Sequence, residues 1–347
     1  MRVPVLKGPR KIEWENKLKP VVGPAEILVK VEYCGICGSD AHGYDKGIVI
    51  PAGTVLGHEF SGVVAEAGEK VRDFRPGDGV VVKPLILAGP ETAADLRNPI
   101  LNIEQLLGVA VGISPKHDGA FAEYVKIPYP DLMAFHLPPS VSFMDAALIE
   151  PLAVSLHGVR LSRLKPGARA VVIGGGMIGL GAIQFLRLGG AGRIIVLEVS
   201  SEKSRIAEKL GAHAVVNPLD ERENTKEKVL NLTDGIGADI VLECSGAPSA
   251  LQNSIRYVKR GGQIIVIGLH ETEVPFDFFW MLHWELEMKG SLAYDYDEFK
   301  YVIEFLEKRR LQTEPLITDT IRLAELEEKG LKRMISSRDV VKILVKP

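Results

Sequence analysis

Apolar and polar residues alternate along 25–33 (AEILVKVEY), the period-two signature of a half-buried strand. β-Branched runs broken by glycine follow at 54–67 and 77–82, and RPGDG at 75–79 is a turn cluster. No helical period is visible here, so residues 1 to about 130 read as mainly β. The rhythm changes after Pro138-Pro139. Residues 142–161 have helical character, with Pro151 starting or kinking a helix. Four continuously apolar strands then appear: ARAVVI (168–173), RIIVL (193–197), ADIVL (238–242) and QIIVI (263–267). Helices alternate with them: one from a glycine-rich turn at 174–181 to about Leu188, one over 201–210 stopped by Gly211, and one between ADIVL and QIIVI. Uninterrupted apolar strands alternating with helices predict a parallel sheet covered on both faces. The tail, with a helix over 299–309 and a strand over 340–345, breaks that alternation and reads as returning to the first domain.

The predicted fold class is therefore α/β: a mainly β domain in residues 1–151, a doubly wound Rossmann domain in 152–290, and a return to the first domain in 291–347. Length supports two domains, each with its own core.

Composition changes this picture only by exclusion. At 46% hydrophobic and 25% charged it is that of an ordinary globular protein, and a net charge of −3 offers no field for nucleic acid or an anionic membrane. The start, MRVPVLKGPRK, lacks the apolar stretch of a signal peptide, and no stretch is long enough for a membrane span. The three cysteines, Cys34, Cys37 and Cys244, make no disulfide framework and fit a reducing compartment, so a cytoplasmic protein is expected.

The glycines carry the first chemistry. VVIGGGMIGLG places Gly174, Gly176 and Gly179 at G-x-G-x-x-G spacing, directly after a strand and opening a helix. The first glycine permits a tight turn, the second lets backbone approach a pyrophosphate, and the third lets helix and strand pack closely. The helix N-terminus would then offer free N–H groups to the phosphates. Glu198 closes the next strand, where a carboxylate can accept both ribose hydroxyls of NAD and repel the 2′-phosphate of NADP. The residues read as touching this nucleotide are Gly174, Gly176, Met177, Ile178, Gly179, Glu198, Lys203, Ile267 and Gly268.

Three further fragments hold metal-binding side chains: CGICGSDAH (Cys34, Cys37, Ser39, Asp40, His42), LGHEFSG (His58, Glu59) and IEPLAV (Glu150). A second C-x-x-C is absent, which excludes a four-cysteine structural zinc, and HEF is not the H-E-x-x-H of a metalloprotease. One thiolate, one imidazole and one or two carboxylates remain, a ligand set zinc accepts. Singly, each has a plainer reading: Cys37 as a small buried hydrophobe, His58 as a core histidine, Glu150 as a helix-cap charge.

Taken in order, CGICGSDAH, GHEFSG, RPGDGVVV, DGAFAEY, IEPLAV, GGGMIGLG and KRGGQIIVIG resemble the zinc-dependent medium-chain alcohol and polyol dehydrogenases over nearly the whole chain. GHE followed by EP resembles the sorbitol dehydrogenase-like branch. The resemblance implies a GroES-like catalytic domain and a catalytic zinc held by Cys37, His58 and a carboxylate, with Glu59, Glu150 or each in turn as that ligand. It implies a structural role for Cys34 and a role for Asp40 in steadying the metal site. Where the family often carries four cysteines for a structural zinc, this chain has no cysteine between Cys37 and Cys244, so only one zinc is expected; residues 84–117, including the helical-looking NPILNIEQLLG, must fold by packing instead.

The implied reaction is hydride transfer between a secondary alcohol, of polyol or sugar type, and NAD, with zinc as Lewis acid. Ser39 would take the alcohol proton and His42 would pass it to solvent. Tyr44 is a candidate pocket wall or a turn residue. Alternatives are a threonine 3-dehydrogenase-type enzyme acting on an amino alcohol, a non-catalytic nucleotide-binding relative, and a zinc-free reductase. The resemblance also implies a homodimer or homotetramer, with residues 274–288 (VPFDFFWMLHWELEM) as interface, pocket wall or core.

Overall fold

The computed structural model describes residues 1–86, 109–220, 222 and 224–347. The segment NPILNIEQLLG (98–108) lies outside the described residues. By contacts the chain divides into two compact units, Met1–Glu150 with Ile303–Pro347, and Pro151–Val302. Among the described residues no helix is long and apolar enough to cross a membrane.

The first unit opens with a hairpin, β1 (Arg2–Gly8) and β2 (Lys11–Asn16). The alternating stretch noted above forms β3 (Ile27–Gly35). A helix, α1 (Gly38–Lys46), follows, then β4 (Glu59–Ala67), β5 (Gly79–Val82), β6 (Tyr124–Ile127) and β7 (Ala134–His136). β3 and β4 pair antiparallel with two register shifts, and β6 pairs on β3.

Helix α1 adds a helix to the mainly β stretch 1–130, where no helical period is visible. Its sequence, GSDAHGYDK, has almost no apolar period, so pattern could not reveal it. Its ends hold it instead. The Asp40 carboxylate accepts the Cys37 N–H at 3.0 Å, as an N3 acid does in a capping box, and Gly47 closes the helix in the left-handed region at φ 69°. Tyr44 is fully buried, and its hydroxyl donates to Glu327 Oε1 at 2.8 Å, fastening α1 to the C-terminal segment.

The second unit contains α2 (Ile149–Leu161, whose first two residues belong to the first unit), β8 (Arg169–Ile173), α3 (Met177–Leu188), β9 (Arg193–Leu197), α4 (Ser201–Leu210), β10 (Ala214–Val216), α5 (Thr225–Leu232), β11 (Ala238–Glu243), α6 (Pro248–Ser254), β12 (Val258–Val266), α7 (Phe278–His283) and β13 (Glu287–Gly290). Pro151 sits in the first turn of α2, where its missing N–H costs no helical hydrogen bond. The strand order is β10-β9-β8-β11-β12-β13, all parallel, the doubly wound Rossmann order. Val171, Ile195, Leu197, Val241 and Ile264 are buried in one core cluster. Each such side chain contributes roughly 1.5–3 kcal/mol by leaving water.

Helix α8 (Tyr296–Glu307) is followed by β14 (Ile317–Arg322), a short helix, α9 (Lys332–Ser336), and β15 (Lys342–Lys346). β15 pairs parallel with β14 and antiparallel with β3, so the first unit's sheet runs β14-β15-β3-β4-β5-β7. This closure brings residues near 342 beside residues near 36.

Candidate active site

Three elements deliver the candidate ligands. Cys37 is the N-cap of α1. His58 follows Gly57, whose φ of +99° and approach to Phe121 leave no room for a side chain: a Cβ there would stand 2.7 Å from Phe121 N. Glu59 opens β4, paired with Gly35 across the sheet. Cys37, His58 and Glu59 present one donor atom each, all within 4.8 Å of one another. His58 and Glu59 are buried, and Cys37 is half-buried.

The imidazole is bracketed. Ser39 Oγ stands 3.4 Å from Nε2, and Asp40 Oδ1 stands 3.5 Å from Nδ1. That last pair is too loose for a hydrogen bond, and both atoms are buried without another partner. Burial pushes the His58 pKa down, but the charges of Asp40 and Cys37 outweigh it and hold the pKa well above the usual histidine value. The cage therefore draws positive charge, and without a metal a proton answers that demand.

Glu59 has a partner that the sequence did not reveal. Lys342, on β15, is buried and donates through Nζ to Glu59 Oε1 at 2.8 Å, Glu59 Oε2 at 2.5 Å and Ile36 O at 2.9 Å. Burial lowers the Lys342 pKa, but Glu59, Cys37 and Glu150 together hold it above the ordinary lysine value. The only hint in the chain is one lysine inside the apolar run VVKILV.

Glu150, buried in the first turn of α2, is not part of the three-residue donor cluster; its charge is felt at Lys342. Ser39 and His42 are both half-buried on α1, three residues apart and so neighbours on its surface. Cys34 is buried, and burial pushes its thiol pKa well up, as for an inert structural cysteine.

In the second unit, the glycine turn lies between β8 and α3. Gly174 has φ +96°, and a Cβ on Gly179 would fall 1.9 Å from Gly174 O, so both positions require glycine. Gly176, the N-cap of α3, faces open space, as a residue that admits a phosphate must. Met177 is buried in the first turn of α3, and Ile178 O accepts from Ser155 Oγ at 3.0 Å. Glu198 ends β9. Its Oε2 accepts the Gly175 N–H at 2.5 Å, and its Oε1 accepts from Val199 N at 2.8 Å and Ser200 N at 2.7 Å. Three of about four carboxylate acceptor positions are thus filled, leaving room for about one ribose hydroxyl rather than two. The Lys203 N–H donates to the Ser200 cap of α4, and the N–H groups of Ile267 and Gly268 donate to Glu243 O at 2.8 and 2.9 Å.

A second acid–imidazole grouping, His157, Asp295 and Glu298, is a structural cluster. Its Glu298 carboxylate already takes His157 Nδ1 at 2.8 Å, the Asp295 N–H at 2.8 Å and the Arg160 guanidinium at 3.2 Å.

Two family models match the chain. Residues 23–138 match the alcohol dehydrogenase GroES-like domain, and residues 178–308 match the zinc-binding dehydrogenase family. The chain is 31% identical to sorbitol dehydrogenase of Bacillus subtilis, covering 100% of this chain and 97% of that protein. The chain belongs to the zinc-dependent medium-chain dehydrogenases. Two solved relatives share its fold. One is 2R,3R-butanediol dehydrogenase from Bacillus subtilis, at TM-score 0.88 and 32% identity over 100% of this chain and 99% of that one. The other is a zinc-binding dehydrogenase from Sinorhizobium meliloti bound to NADP, at 0.87 and 33%, again over 100% and 99%. The dehydrogenase is thus an enzyme, a zinc-dependent oxidoreductase acting on alcohols.

The donor set of this dehydrogenase fits zinc. It offers a thiolate, an imidazole and a carboxylate, which are zinc's accepted ligands. Asp40 stands 3.5 Å behind His58 Nδ1, on the side where a carboxylate can support a metal-binding imidazole, and the cage's demand for positive charge is one a divalent ion meets.

Proposed function

We propose that this dehydrogenase holds one catalytic zinc through Cys37, His58 and Glu59 and oxidises a secondary alcohol of the polyol class with NAD. The observation that carries this reading is the convergence of those three donors, 22 residues apart in sequence at most, with every donor atom within 4.8 Å of the others. Glu150 stands as the alternative carboxylate ligand. With no cysteine between Cys37 and Cys244, the reading has no second, structural zinc.

When bound, zinc supplies Lewis acidity that lowers the alcohol's pKa, and NAD supplies the hydride acceptor. The chain's own groups do the rest. Asp40 orients His58. Lys342 offsets the charge of Glu59, so the pocket is less anionic than its carboxylates alone would make it. Ser39 accepts the alcohol proton as its own hydroxyl proton moves on, and His42, one turn along α1, hands that proton to solvent. The glycine turn and the N-terminus of α3 receive the pyrophosphate. Glu198 favours NAD, because a 2′-phosphate beside it meets like charge.

A polyol is supported by chemistry common to the two relatives of known substrate: sorbitol and 2,3-butanediol both carry a secondary alcohol with a neighbouring hydroxyl. The NADP bound by the Sinorhizobium meliloti relative makes coenzyme choice the discriminating measurement. The reading includes a cytoplasmic location, supported by the sparse unpaired cysteines, and a homodimer or homotetramer. An oligomer is supported by α7, where Phe278, Trp280 and Leu282 are 70%, 45% and 75% exposed beside edge strand β13.

The test is a metal analysis followed by a panel of polyols, simple secondary alcohols and threonine with NAD and NADP. The expected result is about one zinc per chain, polyol oxidation, and higher kcat/KM with NAD. A zinc-free chain, or a preference for threonine or NADP, overturns the corresponding part.

A further inference from the structure

Glu243, the last residue of β11, is fully buried, and its carboxylate ties two loops together. Oε1 accepts from Ser245 N at 2.8 Å, Ser245 Oγ at 2.6 Å and Gly246 N at 3.0 Å, which fixes the loop after β11. Oε2 pairs with His270 Nε2 at 2.9 Å, which fixes the loop after β12. The other imidazole nitrogen, Nδ1, is enclosed and has no hydrogen-bond partner. An enclosed unpaired polar atom is destabilising, so pure packing would favour an apolar side chain here.

The clamp stands where the coenzyme reading needs support. Dinucleotides lie outside the carboxyl ends of the strands, at the point where strand order reverses, here between β8 and β11. Glu198, on the β9 side, is assigned to the adenosine ribose. The β11 and β12 loops therefore flank the other half of the dinucleotide. The clamp also reaches the glycine turn: a Cβ on Gly174 would stand 2.9 Å from Ser245 Cβ, and one on Gly268 would stand 2.5 Å from Glu243 Oε2.

Resting on the coenzyme reading above, we propose that Glu243 and His270 are positioning residues for the nicotinamide half of the coenzyme. They hold the loops after β11 and β12 in one arrangement, so the ring's side of the crevice is formed before the coenzyme arrives. The adenosine half is held by Glu198 and by the glycine turn, which the clamp touches through Ser245 against Gly174, so it depends on them less.

The test measures NADH and ADP-ribose binding by calorimetry to the zinc-loaded wild type, His270→Leu and Glu243→Gln. His270→Leu should weaken NADH about tenfold, the scale of one charge-assisted hydrogen bond, and leave ADP-ribose within about twofold. Glu243→Gln keeps an acceptor for Ser245 and Gly246 and should fall between that variant and wild type. Unchanged NADH affinity in both variants overturns the proposal. So does an equal loss of both ligands, which would mark the pair as general structural support. If the wild type binds neither ligand, the coenzyme reading itself fails, a distinct result.

Discussion

Lys342 Nζ lies 2.5 and 2.8 Å from the two oxygens of the Glu59 carboxylate, with both side chains buried. Residues 283 positions apart thus share one charge pair at the candidate metal centre. Removing one member of a buried pair strands the other and costs about 3–5 kcal/mol. Lys342→Met should lower the thermal midpoint by several degrees and change the zinc content, whereas Lys342→Arg should restore most of both. The pair is no pH switch near neutrality. The Lys342 pKa is raised, so its contribution is fully present below the unfolded lysine value of 10.5 and is lost only as pH climbs through the still higher folded value. Calorimetry and metal analysis of the two variants check this; a Met variant as stable and as zinc-rich as wild type would contradict it.

Zinc binding should be proton-linked through His58. In the metal-free chain its pKa is well above the usual 6.5, so the imidazole carries a proton that the metal must displace. Apparent zinc affinity should fall about tenfold per pH unit on acidification, in a range that extends above pH 6.5. For the metal-free chain the sign is opposite. A raised histidine pKa stabilises fully below the unfolded value, and that share is lost as pH rises through the folded value. Chelator competition from about pH 6 to 8 checks the linkage, and a flat profile would contradict it.

Much of this was legible in the sequence because Rossmann strands are buried on both faces. RAVVI, RIIVL and ADIVLE stand out as apolar runs, and the glycine turn announces its own context. Helix α1 was illegible because caps and a tyrosine anchor hold it, not an apolar stripe. Lys342 was illegible because its partner is made by sheet closure. The carboxylates Glu59 and Glu150 were indistinguishable as letters; in three dimensions only Glu59 stands among the donors with Cys37 and His58.

Glu198 makes a sharper claim on coenzyme choice. Its carboxylate holds the Gly175 N–H and two further backbone N–H groups, so deletion and neutralisation have different results. Glu198→Ala should loosen the glycine turn and weaken both coenzymes. Glu198→Gln can still accept from backbone while losing the charge. Like charges 4 Å apart cost roughly 4 kcal/mol at an effective dielectric of 20; solvent at the crevice mouth reduces that, so relative NADP efficiency should rise about ten- to a hundredfold. Coenzyme kinetics decide the matter, and an unchanged NADP-to-NAD ratio in Glu198→Gln would remove the specificity role.

Ser39 tests the proton path. It lies on α1 two residues past Cys37, with Oγ 3.4 Å from His58 Nε2. A hydroxyl that only filled space there would make Ser39→Ala nearly silent. One that takes the alcohol proton in the transition state contributes about 10²–10⁴ in rate. Ser39→Ala should therefore lower kcat by that order while zinc content and the dissociation constant of NAD stay near wild type. Ser39→Thr, which keeps the hydroxyl, should retain most of the turnover. A His42→Gln variant should lower kcat less, since solvent can partly replace the second carrier, and the loss should be largest at low buffer concentration. Steady-state kinetics with and without added imidazole buffer separate these roles: rescue of His42→Gln but not of Ser39→Ala is expected, and undiminished turnover in Ser39→Ala would take the serine out of the path.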